Sequence, residues 1–323
     1  MNRIACPSSA TSRMRTRRSM LRQRGLSLVE LMVALVIGLF LMGAVSAIYV
    51  ATSGSSRAST LESQMNEDAS LALEMLQQQI RLAGFSGFNA AGARNFQGLG
   101  VRGCDGGFTN NAASTDFAAM ACGTDENGPD ALAIRYQATV LNTQGTGTPL
   151  APSNCSFESL SAWDIGGGVT ISLADNRFYI AEDPDNGNIP TLYCKGKTGN
   201  PAHTGGFGSA VALVPNIEDM QITYAVTAAP VNNEPLPHQI TAYLPASDIT
   251  DWSRVAGVRV CLLARTSRAA PTGGVSRETL GYYVDCEGEE QENDDGFLRR
   301  VSHTTVQLRN MRPAVPAPSA FDA

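Results

Sequence analysis

The sequence predicts an α+β fold in which one long N-terminal helix packs on an antiparallel β-sheet domain. The first observation is a helical pattern over residues 26–83 that ends before Gly84. The second is a series of strand-like segments, separated by turn residues, that occupies most of the chain from residue 131 onward. Many strands after a single helix must pair over long distances in the sequence, which favours an antiparallel sheet.

The first half of the predicted helix, residues 26–51, is interpreted as a membrane segment. Between Arg24 and Arg57 the only charged residue is Glu30. The roughly 21 residues after it span about 30 Å as a helix, which matches the hydrocarbon core of a bilayer. All charges before this segment are arginines. The positive-inside rule therefore predicts a cytoplasmic N-terminus and a periplasmic remainder.

The second half of the helix, residues 52–84, is predicted to be amphipathic and soluble. Neither Gly nor Pro interrupts residues 57–83. Apolar side chains recur there at helical spacing and form one stripe, made of Leu61, Met65, Ala69, Ala72, Leu76, Ile80 and Ala83. We expect this stripe to pack on the sheet.

Residues 85–323 are expected to form a β-rich domain. Its first part, residues 85–128, is rich in Gly, Asn, Ala and Ser and is predicted to be a long irregular region with few regular elements, held by a crosslink. The predicted strands are residues 131–141, 169–173, 177–181, 191–194, 210–214, 219–226, 239–244, 255–264, 279–286 and 297–308. Asp175 and Asn176, between two of these segments, predict a tight turn.

The charge of the chain is distributed unevenly. Residues 1–25 form a basic leader with seven arginines and no acidic residue, so the net charge of −6 becomes −13 for the part after Gly25. An acidic domain of this kind does not favour binding to nucleic acid, and we expect no such partner.

Cysteine usage is typical of an exported protein. The part after Gly25 has an even number of cysteines: Cys104, Cys122, Cys155, Cys194, Cys261 and Cys286. They form no Cys-x-x-Cys motif, and no histidine lies near them at zinc spacing. Disulfides in an oxidising periplasm are therefore favoured, with free buried thiols as the alternative.

The sequence alone does not define the disulfide connectivity, but one pair can be argued from spacing. Cys261 and Cys286 are equidistant from Gly273-Gly274. A hairpin turning there would place them opposite each other on neighbouring strands, within disulfide range. For the other four cysteines we expect sequential pairs, Cys104 with Cys122 and Cys155 with Cys194.

The sequence contains no recognisable catalytic or metal-binding set. The histidines His203, His238 and His303 are scattered, and none adjoins a nucleophile motif. The acidic run at residues 182–188 departs from the calcium-loop pattern, and the run at residues 285–295 is interpreted as a solvated loop. We predict no enzymatic activity, no cofactor and no metal.

The junction between the leader and the membrane segment resembles the processing site of type IV prepilins and type II secretion pseudopilins. Gly25 precedes Leu26, Glu30 is the fifth residue after the Gly, and basic residues precede it. The resemblance implies that a prepilin peptidase cleaves after Gly25 and methylates the new amine of Leu26. It also implies that Glu30 pairs with the amine of a neighbouring subunit, which would offset the cost of a carboxylate in an apolar segment.

Four further segments resemble PilW-type minor pilins: residues 77–85, 213–224, 255–265 and 299–310. The resemblance implies a pilin-like fold and a minor pilin that primes type IV pilus assembly at or near the tip of a fibre used in twitching motility. The implied partners are the prepilin peptidase, other minor pilins, the major pilin, the inner-membrane assembly platform and the lipid bilayer. The implied location is the bacterial inner membrane and then the pilus fibre.

Several alternatives remain open at this point. A J-class pseudopilin of type II secretion would have the same physical design, although such pseudopilins are generally shorter, and a membrane-anchored periplasmic binding protein is a second alternative. The N-terminus is also compatible with an uncleaved signal anchor or a signal peptide cut after Ala47. Met20 is an alternative start, which would leave a six-residue leader.

Overall fold

The structure, a computed structural model, describes residues 25–109, 117, 120–125, 127–198, 206–229, 239–270 and 281–311. The chain divides into two compact units, with the boundary between Ser53 and Gly54. The basic leader before residue 25 lies outside the described residues, as do His203, His238 and the Gly273-Gly274 pair.

One long helix, α1, spans Leu28–Leu82. All residues of the predicted apolar stripe are buried, from Leu61 to Ala83. The helix ends at Gly84, whose φ of 71° lies in the left-handed region that glycine adopts without strain. The backbone N–H of Gly84 then donates to the carbonyl oxygen of Arg135 at 2.9 Å, which joins the helix end to the sheet.

The described strands form two larger antiparallel sheets and one hairpin. The first sheet has the order β1-β2-β4-β5-β6, with β3 paired to β4. Its strands are β1 (Val101–Cys104), β2 (Ala131–Ala138), β3 (Trp163–Asp164), β4 (Thr170–Asp183), β5 (Ile189–Gly196) and β6 (Val211–Pro215).

The second sheet has the order β12-β9-β7-β8. Its strands are β7 (Ile217–Thr227), β8 (Ile240–Leu244), β9 (Val255–Arg265) and β12 (Arg299–Gln307). Between β9 and β12 in the chain lies a short antiparallel hairpin of β10 (Tyr282–Val284) and β11 (Glu290–Glu292).

The core of the larger unit lies where α1 covers both sheets. The helix and the two sheets contribute to one cluster of buried side chains, which includes Leu76, Ile80, Leu132, Phe178, Val258 and Val260. The predicted α+β class, one apolar N-terminal helix packed on antiparallel sheets, is thus confirmed.

The predicted turn at Asp175 and Asn176 is wrong. Both residues lie in the middle of β4, a single strand that replaces the two predicted segments. Asp175 accepts a hydrogen bond from Nη2 of Arg135 at 2.9 Å, and Nδ2 of Asn176 donates to Oε1 of Gln79 at 2.8 Å. Because tertiary partners satisfy both side chains, the local turn preference does not decide the backbone.

Residues 85–128 contain one named strand among the residues that the structure describes, β1. The strand β1 lies within this region and pairs antiparallel with β2, with Val101 opposite Ile134. Val101 is fully buried in the main core, so a short apolar segment is sufficient to extend the sheet here.

The structure joins the cysteines as Cys104–Cys122, Cys155–Cys194 and Cys261–Cys286, with Cα–Cα separations of 5.1, 6.1 and 5.8 Å. The geometric argument for the third pair is wrong. Cys261 lies in β9 opposite Gln221 and His303, whereas Cys286 follows β10 in the turn that leads to β11. The disulfide therefore attaches the hairpin to the second sheet and does not link two neighbouring strands.

Candidate processing and assembly segment

The predicted cleavage site lies immediately before α1. Gly25 and Leu26 are not part of the helix, and both are exposed, Leu26 to 71 %. Apart from Gly25 itself and its neighbours in the chain, no described atom lies within 4 Å of the position that a Cβ on Gly25 would occupy. A peptide bond in this setting is accessible to a protease active site, which must bind the scissile bond in an extended form.

Ser27 caps the helix. Its Oγ accepts a hydrogen bond from the backbone N–H of Glu30 at 3.2 Å, and its carbonyl oxygen accepts from the N–H of Leu31 at the same distance. Such a cap satisfies one of the N–H groups that the first turn leaves without a partner. The cap fixes the position at which the helix begins, so Gly25 and Leu26 lie outside the helix.

Glu30 lies in the first turn of α1 and is exposed. A carboxylate at this end of a helix interacts favourably with the helix dipole. Its other requirement in an apolar environment is a cation, because an unpaired carboxylate there costs several kcal/mol. An amine at the N-terminus of another subunit would meet this requirement.

The first half of α1 is covered with exposed apolar side chains. Every large apolar residue from Leu26 to Val50 in the described structure is more than half exposed. This helix is long and apolar enough to cross a membrane. A continuous apolar surface of this size requires lipid or other apolar helices around it.

Ser27 is a helix-capping residue that the sequence interpretation missed. The signal was present, because Ser27-Leu-Val-Glu30 directly before an apolar run has the Ser-x-x-Glu spacing of a capping box. Residues 27–30 therefore specify the start of the helix and also lie within the processing motif.

The two acidic runs have structural roles. In the first run, Asp183 accepts from the N–H of Asp185 and caps the turn between β4 and β5, which Gly187 closes at a φ of 71°. In the second run, hydrogen bonds from Arg299 lower the pKa of Asp295 to about 2. Among the described residues no group of His, Cys, Asp or Glu side chains has an arrangement suited to a metal ion.

His303 lies on β12 opposite Cys261, and its side chain is exposed. Cys261 is bonded to Cys286, so Cys261 and His303 do not form a Cys-His pair of the kind used in nucleophilic catalysis.

Two family models match the chain. Residues 177–310 match the type IV pilus-assembly protein W, and residues 20–46 match the prokaryotic N-terminal methylation motif. The chain is also similar to a solved type IV-like pilin from Thermus thermophilus at 13 % identity and a TM-score of 0.34, over 77 % of this chain and 98 % of that one. No curated protein matches the chain.

Proposed function

We propose that this chain, a PilW-type minor pilin with a prepilin-like processing site, primes type IV pilus assembly and is incorporated at or near the tip of the fibre. The family assignment favours a structural role over an enzymatic one. The single observation that supports the assembly mechanism is the position of Glu30. It lies in the first turn of α1, shortly after the exposed, non-helical residues Gly25 and Leu26.

Processing is the first step of the proposed mechanism. The arginine-rich leader keeps the N-terminus in the cytoplasm, and the domain after the membrane segment lies in the periplasm. A prepilin peptidase cleaves between Gly25 and Leu26 on the cytoplasmic side and methylates the amine of Leu26. Cleavage removes the leader and its seven arginines, so the new N-terminus carries a single positive charge.

Lateral association is the second step. The apolar first half of α1, from Leu28 to residue 51, leaves the lipid and packs against the equivalent helices of neighbouring pilins. Glu30 then pairs with the methylated amine of a neighbour, which removes the cost of carrying an unpaired carboxylate into an apolar environment. The assembly platform, other minor pilins and the major pilin are the partners of this step.

Mass spectrometry of the N-terminal peptide, from membranes and from sheared surface fibres, tests this proposal. We expect a mature chain that begins at N-methylated Leu26 in both samples. A chain that begins at Ile48, or one that retains the arginine leader, would overturn it. Immunogold labelling restricted to fibre ends, compared with labelling along the shaft, tests the location at the tip.

A further inference from the structure

A cationic cleft lies at the edge of the second sheet. It has a volume of ≈ 540 Å³ and is formed by the last turn of α1, the end of β12 and the residues that follow β12. Its lining residues are Arg81, Thr305, Val306, Gln307, Arg309 and Asn310. None of them is acidic, although the part of the chain after Gly25 carries a net charge of −13.

The two arginines of the cleft, Arg81 and Arg309, are exposed and form no ion pair in the described part of the chain. Nη2 of Arg81 donates to Oε1 of Gln77, a neutral group, at 3.4 Å. A guanidinium group presents a fork of donors that matches the oxygens of a carboxylate or a phosphate. Two such groups around one concave surface therefore favour an anionic ligand.

The walls of the cleft are joined by hydrogen bonds. Nδ2 of Asn310 donates to the carbonyl oxygen of Arg81 at 2.8 Å and so attaches the residues after β12 to the last turn of α1. Nε2 of Gln77 donates to Oγ1 of Thr304 at 2.6 Å and attaches the same part of the helix to β12 itself. A ligand would therefore bind a largely preformed site, which lowers the entropy cost of binding.

The cleft also offers hydrogen-bond acceptors. The N–H of Leu308, directly after β12, donates to the carbonyl oxygen of Ala256 in β9 at 2.9 Å. Because successive residues of a strand direct their backbone groups to opposite sides, those of Thr305 and Gln307 point away from β9. Among the described residues β12 is the last strand of its sheet, so no further strand pairs with these groups. The ligand must therefore supply hydrogen-bond donors as well as negative charge.

A carboxylated sugar chain meets both requirements, because its hydroxyl groups donate and its carboxylates carry the charge. The phosphates of a nucleic acid supply acceptors only, and the acidic remainder of the domain would repel so dense a charge. An acidic peptide would have to add a strand to β12. Only residues 305–307 of β12 line the cleft, which is shorter than an ordinary strand of about 5 residues.

A third arginine continues the cationic surface beyond the cleft. Arg259 in β9 lies directly opposite Thr305, so the two side chains share one face of the sheet. Arg259 is exposed, and its guanidinium carbon lies 4.2 Å from the ring centroid of Tyr243. This stacking restrains the side chain and leaves the edge of the guanidinium group accessible. A ligand that extends from the cleft over Thr305 meets a further cation, which favours a polymer over a single sugar.

We propose that the cleft binds a carboxylated polysaccharide, a sugar chain in which uronic acids recur. Arg81 and Arg309 bind its carboxylates, and the outward backbone carbonyl groups of Thr305 and Gln307 accept from its hydroxyl groups. Arg259 binds a carboxylate of the segment that extends beyond the cleft. This inference goes beyond the proposed function and does not depend on pilus assembly.

Binding of polygalacturonate tests the inference. The mature chain, residues 26–323, is purified in detergent, because the seven arginines of the leader would attract any polyanion. Isothermal titration calorimetry measures the affinity at about 150 mM salt, where attraction between distant charges is screened. We expect polygalacturonate to bind and dextran, a neutral polysaccharide, not to bind.

Variants of the arginines locate the site. Arg81→Gln combined with Arg309→Gln should weaken binding at least about tenfold, because two charge-assisted contacts are lost. The matched control is Arg57→Gln combined with Arg268→Gln, which removes the same charge at exposed positions outside the cleft and should change the affinity less than about twofold. Arg259→Gln should weaken binding of the polymer more than binding of digalacturonate. Near-UV circular dichroism equal to that of the parent chain shows that each variant is folded.

Three results would overturn the inference. The first is a folded parent chain that does not bind polygalacturonate. The second is equal affinity in the cleft variant and the control variant, since the polyanion then binds elsewhere. The third is tighter binding of polyglutamate or single-stranded DNA than of polygalacturonate, which would assign the cleft to a peptide or to a nucleic acid. The N-terminal peptide of the chain from its own cells tests the proposed function separately, so either proposal can fail alone.

Discussion

The carboxylate of Asp130 accepts a hydrogen bond from the backbone N–H of Ile222 at 2.7 Å and so links the two sheets. Asp130 precedes β2 of the first sheet, whereas Ile222 lies in β7 of the second. The N–H of Asp130 also donates to the carbonyl oxygen of Met220 at 2.7 Å, and Gly106 donates to the same carboxylate at 3.2 Å. Burial raises the pKa of Asp130 to about 7, although the hydrogen bonds from Ile222 and Gly106 act against this.

A pH-dependent stability follows from this carboxylate. Because its pKa in the folded chain is about 7 and its ordinary value is 3.8, the folded state binds the proton more tightly. The protonated Asp130 carboxyl therefore contributes its full stabilisation to the folded state below about pH 4. As the pH rises to about 7 this stabilisation is lost, and the unfolding free energy falls by an amount on the order of 4 kcal/mol at most. Asp130→Asn should remove this part of the pH dependence.

Urea unfolding of the full-length chain in detergent, at about pH 4 and about pH 7, measures the effect. The difference between the two unfolding free energies should be smaller in Asp130→Asn than in the parent chain. Asp294→Asn is the control, because Asp294 is exposed. Equal pH dependence in all three proteins would show that Asp130 does not titrate in this range.

Glu218 connects β7 to two arginines of the same sheet. It accepts hydrogen bonds from Arg299 at 2.6 Å and from Arg265 at 3.0 Å, and its side chain is 17 % exposed. Glu218→Gln removes the anion of Arg265 and one of the two anions of Arg299, which retains Asp295. It should cost about 2 kcal/mol of stability, less than for a fully buried pair. Glu290→Gln, on the exposed strand β11, should change the unfolding free energy by less than about 0.5 kcal/mol. Equal losses in the two variants would contradict the assigned role.

The Cys155–Cys194 disulfide closes a loop across 39 residues of sequence. We predict that it is oxidised in the mature protein and that replacing both cysteines by Ser lowers the unfolding free energy by about 4 kcal/mol, because the unfolded chain gains loop entropy. Peptide mapping without reduction checks the pairing, and urea unfolding checks the energy. Recovery of either cysteine as a free thiol from native protein would contradict the prediction.

The helix and most strands could be predicted because their residues follow strong local periodicities. The stripe from Leu61 to Ala83 has helical spacing, and residues 219–226 and 255–264 lie within β7 and β9. These patterns report burial directly, so no knowledge of distant contacts is required.

The features that sequence reasoning missed depend on contacts that are distant in sequence. Asp175 has local turn preference, but its place inside β4 depends on Arg135, which is 40 residues away. The surroundings of Cys286 depend on how residues 281–298 fold back onto β9. A groove of ≈ 430 Å³ is likewise lined partly by α1 and partly by the loop after β2, and no periodicity in either segment predicts it.

Gly25 should control processing. Its exposed position and lack of a side chain fit a peptidase that requires a small residue before the cleaved bond. Gly25→Arg should leave the leader attached, and the protein should accumulate uncleaved in the membrane and be missing from sheared fibres. Immunoblots of precursor and mature forms measure this. Normal cleavage of the Arg variant would rule against this bond as the processing site.

Glu30 should act after processing, and this separates its role from that of Gly25. Glu30→Leu retains an apolar helix and leaves the Ser27 cap intact, because the cap accepts from the backbone N–H at position 30. Insertion and cleavage should therefore be normal, while incorporation into fibres should fall at least about tenfold, since the neighbouring amine loses its anion. The ratio of processed protein in membranes to protein in sheared fibres measures the effect. Glu30→Asp is the matched variant, because its shorter carboxylate retains the charge, and it should support more incorporation than Glu30→Leu. Normal incorporation of Glu30→Leu would show that the carboxylate has no part in assembly, even though the chain is processed as a pilin.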